Sequence, residues 1–253
     1  MTPLTVGSLF SGIGGFELGL ERTGGFKTVW QCEIDPFCLK VLEKHWPGVK
    51  RFADIKKMGI GEEIPYVDVI CGGFPCQDIS CAGKGAGIHA ERSGLWWEML
   101  RIVRLVRPKF VLVENVAALL NRGLDEVLGS LAESGYDAEW TILRASDFGA
   151  LHQRERFFAV ANANRVIGGK VPVQLRKDGE RRTSNDIGSR RVFGRRNFDR
   201  NEQWKAESDV CRVVDGIPNQ LDRLRALGNA IVPQCSQYVG QCVLDSIRTE
   251  AAQ

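Results

Sequence analysis

Cys76 stands in surroundings that set it apart from the other cysteines of this chain. It follows Gly73, Phe74 and Pro75 and precedes Gln77 and Ser80, just past the apolar run Val67–Cys71. A thiol is intrinsically nucleophilic, and with a free pKa of about 8.5 part of it ionises near neutral pH. A buried strand ending in such a turn brings the sulfur to the carboxyl edge of a sheet, where α/β folds bind ligands. An inert core thiol is the competing reading of any one cysteine. Glu114 and Asn115 follow another apolar run, Phe110–Val113, and so belong to the same edge. A glutamate there is costly unless paired or protonated, a tension that marks functional acids. A helix N-terminal acid favouring the dipole is the alternative. In His152–Gln153–Arg154–Glu155–Arg156 the two arginines alternate as a strand would place them, facing one side together. A surface ladder of ion pairs would give the same spacing.

A second constellation lies near the start. Gly12–Ile13–Gly14–Gly15 follows the apolar run Leu4–Phe10 and opens an amphipathic segment. Glycines there allow a sharp turn and close approach of a ligand to the backbone. Glu33 ends the next strand candidate, Thr28–Cys32, about 20 residues on, where an acid can accept from ribose hydroxyls. By themselves these residues fit a nicotinamide enzyme, a methyl-transferring enzyme or a tight structural turn equally.

The elements that must hold these groups alternate along the first 160 residues. Apolar strand candidates are separated by helical patterns, among them Ser93–Val106, which stops before Arg107–Pro108, and a segment opened by Pro36. Alternation of this kind predicts an α/β fold with a mostly parallel sheet and helices on both faces. Helical periodicity returns at Leu221–Leu227 and again from Pro233 to Ile247. The chain therefore divides into a large domain over 1–161, a small basic segment over 162–222, and a return to the large domain over 223–253.

Composition sets the bounds. The 253 residues are 43% hydrophobic and 26% charged, an ordinary globular balance. No run of about 18 apolar residues is present, which argues against a membrane protein and for a cytoplasmic one. Eight cysteines without a CxxC pair, and three histidines, speak against a metal site. The net charge of +3 conceals an asymmetry: residues 162–200 hold eleven Lys or Arg against four Asp or Glu. Such an excess points to a polyanion, or to a solvated loop.

Taken together and in order, these blocks resemble the DNA cytosine-5 methyltransferases. The resemblance rests on Ser8–Leu9–Phe10–Ser11–Gly12–Ile13–Gly14–Gly15–Phe16, Glu33–Ile34–Asp35, Ala53–Asp54–Ile55, Gly73–Phe74–Pro75–Cys76–Gln77, Glu114–Asn115–Val116, Arg154–Glu155–Arg156 and Gly228–Asn229–Ala230–Ile231–Val232–Pro233. It is greatest for compact phage, prophage or restriction-modification members. Two positions depart from the common pattern: Ser8 stands where many members have Asp, and His152 where a Gln is common. The resemblance implies a Rossmann-like sheet with a small basic target-recognition lobe, here shorter than usual. It implies S-adenosyl-L-methionine as cofactor, double-stranded DNA as substrate, no metal, and a monomer.

Residue roles follow from the same resemblance. Cys76 would add to carbon 6 of a flipped-out cytosine, Glu114 would bond ring nitrogen 3, and Arg156, supported by Arg154, would hold the ring carbonyl. Phe10, Gly12, Gly14, Gly15, Glu33, Ile34, Asp54, Ile55, Pro75, Leu95 and Asn229 would form the cofactor pocket. Gln77 and Ser80 would close over the extruded base. Arg181, Arg182, Arg190, Arg191, Arg195 and Arg196 would neutralise phosphates, making binding salt-sensitive. A tRNA cytosine-5 methyltransferase is the nearest alternative, but the Cys–Phe–Thr run of that class is missing. A catalytically dead DNA-binding regulator would be expected to lose Cys76 or Glu114, and a nicotinamide-dependent dehydrogenase gives no reason for either.

Overall fold

The computed structural model describes residues 2–75, 94–163 and 220–251. Seven strands form one sheet: β1 (Leu4–Leu9), β2 (Phe26–Cys32), β3 (Lys50–Phe52), β4 (Val69–Gly72), β5 (Phe110–Val116), β6 (Tyr136–Arg144) and β7 (Glu155–Ala163). Their order is β3-β2-β1-β4-β5-β7-β6. The first five strands pair in parallel, while β7 lies antiparallel to both β5 and β6. The helices of the described residues are α1 (Gly15–Arg22), α2 (Pro36–His45), α3 (Leu95–Val106), α4 (Leu124–Glu133), α5 (Gln220–Asn229) and α6 (Pro233–Ala251).

Side-chain alternation along the strands builds two cores, one on each face of the sheet. Val111 and Val113 of β5 pack on one side with Trp96 and Met99 of α3 and Val127 of α4. Phe110 and Leu112 pack on the other with Phe16 and Leu20 of α1 and Val239 and Val243 of α6. Strands buried on both faces read as continuous apolar runs, which is why the sequence displays them so plainly. The result is the mostly parallel sheet that the alternation predicts, Rossmann-like as the resemblance implies.

Local chemistry fixes the element ends. Asp35 caps α2 by accepting from the amides of Phe37 and Cys38, with Pro36 at the first helical position. Residues 15 and 19 of α1 must be glycine because Ile231 and the start of α6 lie against them. A Cβ on Gly15 would fall 2.3 Å from the Ile231 carbonyl oxygen, and one on Gly19 2.0 Å from Ser236 Oγ. Ser236 Oγ also donates to the Gly15 carbonyl at 3.1 Å. The C-terminal stretch is thereby locked onto the first helix of the chain.

The observed boundaries differ from the sequence-based ones in ways that matter for the site. β5 does not stop at Val113 but runs on to Val116, so Glu114 and Asn115 sit within the strand, opposite Phe158 and Phe157 of β7. Pairing with an antiparallel neighbour supplies the backbone partners that a parallel edge would have ended without. Arg154 lies outside β7, at a φ of +33°, so the two arginines do not alternate on a common strand. β7 continues to Ala163 and α5 opens at Gln220; residues 164–219, most of the 162–222 segment, lie outside the described residues.

Candidate active site

A cavity of about 840 Å³ opens at the carboxyl edge of β1, β2, β4 and β5. That size suits a small-molecule ligand of nucleoside dimensions. The turn after β1 supplies its floor. Phe10 and Gly12 both take a left-handed backbone, each with a φ of +55°. For phenylalanine this conformation costs of order 1 kcal/mol or more, and such strain gathers at ligand sites. A Cβ on Gly12 would meet no atom within 4 Å, so the glycine answers to its backbone conformation and leaves open space before it.

Glu33, at the end of β2, holds this turn. Its Oε2 accepts from the Gly12 amide at 2.7 Å, and its Oε1 accepts from the amides of Ile34 and Asp35, each at 2.8 Å. A carboxylate offers about four lone-pair sites, so one acceptor position remains for a ligand hydroxyl. Ile34 beside it is 70% exposed, a large apolar side chain left uncovered on the cavity wall. Asp54 accepts from the Lys56 amide and caps a short 3-10 turn that begins at Ile55; both Asp54 and Ile55 line the cavity. Pro75, Leu95 and Asn229 complete the set expected there. Gly14 and Gly15 are not among the lining residues. Gly14 instead makes room for the Trp46 ring, which a Cβ would meet at 2.4 Å, and Gly15 for the Ile231 carbonyl.

The donor set fits S-adenosyl-L-methionine. Apolar Phe10, Ile34 and Leu95 offer surfaces to a purine, while Glu33 and Asp54 offer acceptors to a ribose and an exocyclic amine. Gly12 leaves its neighbourhood open to a bulky ligand.

Glu114 lines the same cavity, and Arg156 Nε lies 3.2 Å from its Oε1. Burial pushes the Glu114 carboxyl up to about 7; the Arg156 and Arg154 guanidiniums pull it back but are outweighed. An acid poised there can hold a proton at neutral pH and give it up, the property wanted of a proton donor. Arg154 donates to the Ala230 carbonyl at 2.6 Å, and its Nε is buried without a hydrogen-bond partner. It thus ties the start of β7 to the segment that follows α5. Pro75, the residue before Cys76, is on the cavity wall with Glu114.

Cys76, Gln77 and Ser80 lie outside the described residues, as do Arg181, Arg182, Arg190, Arg191, Arg195 and Arg196. Sequence reasoning missed several wall residues. Asp222 and Arg225 of α5 join Asn229 on the cavity at spacings of three and four residues, one face of a helix. That spacing was visible in the chain, but nothing local says which face meets the cavity. Among the described residues, no three His, Cys, Asp or Glu side chains are arranged to hold a metal, and no helix is long and apolar enough to cross a membrane.

Comparison with known proteins bears on this geometry. The family model for C-5 cytosine-specific DNA methylase matches residues 4–207. Among curated relatives, the Type II methyltransferase M2.BsuMI of Bacillus subtilis is 39% identical over 167 residues, covering 63% of this chain and 42% of the relative. M.HgiCII of Herpetosiphon aurantiacus is 35% identical over 156 residues, covering 60% and 36%. The match thus spans about two fifths of the length of these relatives. A prophage-encoded Escherichia coli protein described as a DNA modification methyltransferase superposes with a TM-score of 0.50 at 28% identity, over 63% of this chain and 47% of that one. The Entamoeba histolytica methyltransferase EhMeth, at 18% identity and a TM-score of 0.52 over 67% of this chain and 56% of its own, shares the fold. Because that family model matches residues 4–207 of the 253, the chain belongs to the C-5 cytosine-specific DNA methylase family.

Proposed function

We propose that this protein transfers a methyl group from S-adenosyl-L-methionine to carbon 5 of a cytosine flipped out of duplex DNA, through a covalent bond to Cys76. The observation that carries the reading is the shared cavity. Glu114 with its Arg156 partner, and Pro75 next to the nucleophile, face the same space as Phe10, Glu33, Ile34 and Asp54.

Carbon 5 of cytosine is a poor nucleophile because the ring is conjugated. Attack of the Cys76 thiolate on carbon 6 forms a carbon–sulfur bond and shifts the ring electrons toward nitrogen 3. Glu114, held as a neutral acid by its buried site, donates its proton there and cancels the developing charge. Arg156 bonds the ring carbonyl oxygen, and Arg154, which donates to the Ala230 carbonyl, supports the same pocket. The guanidiniums also raise the thiolate fraction of a nearby cysteine. The bound cofactor supplies an electrophilic methyl group on a sulfonium. Once carbon 5 has gained the methyl group, loss of its proton to solvent, return of the nitrogen 3 proton to Glu114 and expulsion of the Cys76 thiolate restore the aromatic ring.

Glu33 would hold the ribose of the cofactor, and Ile34, Asp54 and Ile55 would hold its adenine. A target base inside the duplex is out of reach, so it is extruded at a cost of a few kcal/mol. Gln77 and Ser80 close over it, and the arginines of the basic segment grip phosphates. The protein works as a monomer in the cytoplasm.

The deciding experiment uses duplex DNA carrying 5-fluorocytosine, with S-adenosyl-L-methionine present. The intact protein should stall as a covalent complex that survives denaturing electrophoresis, and Cys76→Ser should not. Bisulfite sequencing of DNA from cells expressing the chain then gives the base and site. Absence of both adduct and methylation would overturn the reading.

A further inference from the structure

The connection between the two halves of the catalytic edge is made by side chains rather than by the sheet. Backbone pairing between β4 and β5 ends at Gly72 and Val113. Beyond that point the strands would be free to diverge, yet Asn115 bridges them. Its Nδ2 donates to the Phe74 carbonyl at 3.1 Å, and its Oδ1 accepts from the Val116 amide at 2.7 Å. Asn115 is only 2% exposed, and its bond to the Phe74 carbonyl is shielded from competing water. The Phe74 ring is itself packed, with its centroid 5.3 Å from that of Trp96.

Gly73 supplies the other half of the arrangement. A Cβ built on it would lie 2.6 Å from Glu114 Oε2. The carboxyl therefore occupies the space that any other residue at 73 would fill. One oxygen of Glu114 faces Arg156, and the other rests against the backbone of Gly73.

We propose that Asn115 and Gly73 form a positioning brace for the reaction proposed above. Asn115 fixes the chain two residues before Cys76 across the end of β5, and Gly73 provides the seat that aims the Glu114 carboxyl. Neither touches the reacting atoms. Both set the placement of the acid relative to the nucleophile's loop. The inference rests on the methyltransferase reading, because placement matters only if residues 76 and 114 act on one substrate.

Two substitutions separate placement from stability. In Gly73→Ala the clashing partner is the tip of a flexible side chain, so the carboxyl can swing aside with little cost to folding. Asn115→Asp keeps the acceptor for the Val116 amide but loses the donor to the Phe74 carbonyl. The test compares both with the unaltered protein and with Glu114→Gln, measuring kcat, S-adenosylhomocysteine affinity, melting temperature and the pH profile of kcat/KM. Each variant should bind S-adenosylhomocysteine within about threefold of the unaltered protein and lose roughly 10- to 100-fold in kcat, as expected for a catalytic group misplaced by about 1 Å. Gly73→Ala should melt within a few degrees of the unaltered protein. It should also shift the alkaline limb of its profile, because a displaced Glu114 carboxyl would change its burial and its distances to Arg156 and Arg154.

Should both variants keep kcat within about threefold and leave the profile unmoved while Glu114→Gln is inactive, the brace is wrong and the reaction stands. If Asn115→Asp does not fold, Gly73→Ala alone decides. If the unaltered protein transfers no methyl group, the functional reading fails first and the brace with it.

Discussion

Replacing Glu114 by Gln should change the pH dependence of folding stability by an amount the structure sets. In the folded protein the acid titrates near 7, against an ordinary value of 4.5, because burial outweighs the two arginines. Below pH 4.5 both folded and unfolded chains hold the proton, and the group contributes nothing. Between 4.5 and about 7 only the folded chain holds it, so stability falls as pH rises, by about 1.4 kcal/mol per pH unit. Above 7 both states are ionised and the loss is complete, roughly 3 kcal/mol in all. Glutamine does not titrate, so subtracting the variant's stability from the unaltered protein's isolates this one group. Urea unfolding at several pH values should show that difference falling by about 2–3 kcal/mol between pH 5 and 8.5, with most of the change before 7.5. A difference constant within about 0.5 kcal/mol would mean that Glu114 is ordinary. A difference that rose with pH would mean that the arginines hold it ionised; in either case the neutral proton donor is refuted.

Other outcomes follow from single contacts. Glu33→Gln puts an amide group where a carboxylate accepts from the amides of Gly12, Ile34 and Asp35. Calorimetry with S-adenosylhomocysteine should show affinity falling about tenfold or more, since a charge-assisted hydrogen bond contributes roughly 1.5–3 kcal/mol. Gly19→Ala drives a methyl into Ser236 Oγ and the Pro233 carbonyl, at 2.0 and 2.2 Å. It should lower stability by about 1–3 kcal/mol in urea unfolding, the usual cost of overpacking. Glu17 is fully buried on α1; its Oε2 and the Oε1 of neighbouring Gln31 lack partners, and burial raises its pKa. As with Glu114, the raised value makes stability fall as pH rises above 4.5, so Glu17→Gln should melt higher than the unaltered protein at pH 8 and approach it toward pH 5.

The sequence by itself determined the fold class, the order of the chemical blocks and nine of the residues that line the cavity. Strands buried on both faces must be continuous apolar runs, and Pro36 and the glycines of the first turn act on their immediate neighbours. Such signals are local and can be read without knowing what packs where. Tertiary structure alone decided the rest. That β7 inserts antiparallel beside β5 depends on which edge is left open, and it is this pairing that draws Glu114 into the strand and buries it. Gly14 and Gly15 look like ligand-facing residues in a glycine-rich turn, but Trp46 and Ile231 come to occupy the space their missing side chains leave. Ser236 meets Gly15 across 221 positions of chain, and Asn115 meets Phe74 across 41. Contacts at that separation are fixed by which surfaces bury each other, and no pattern among neighbouring residues encodes them.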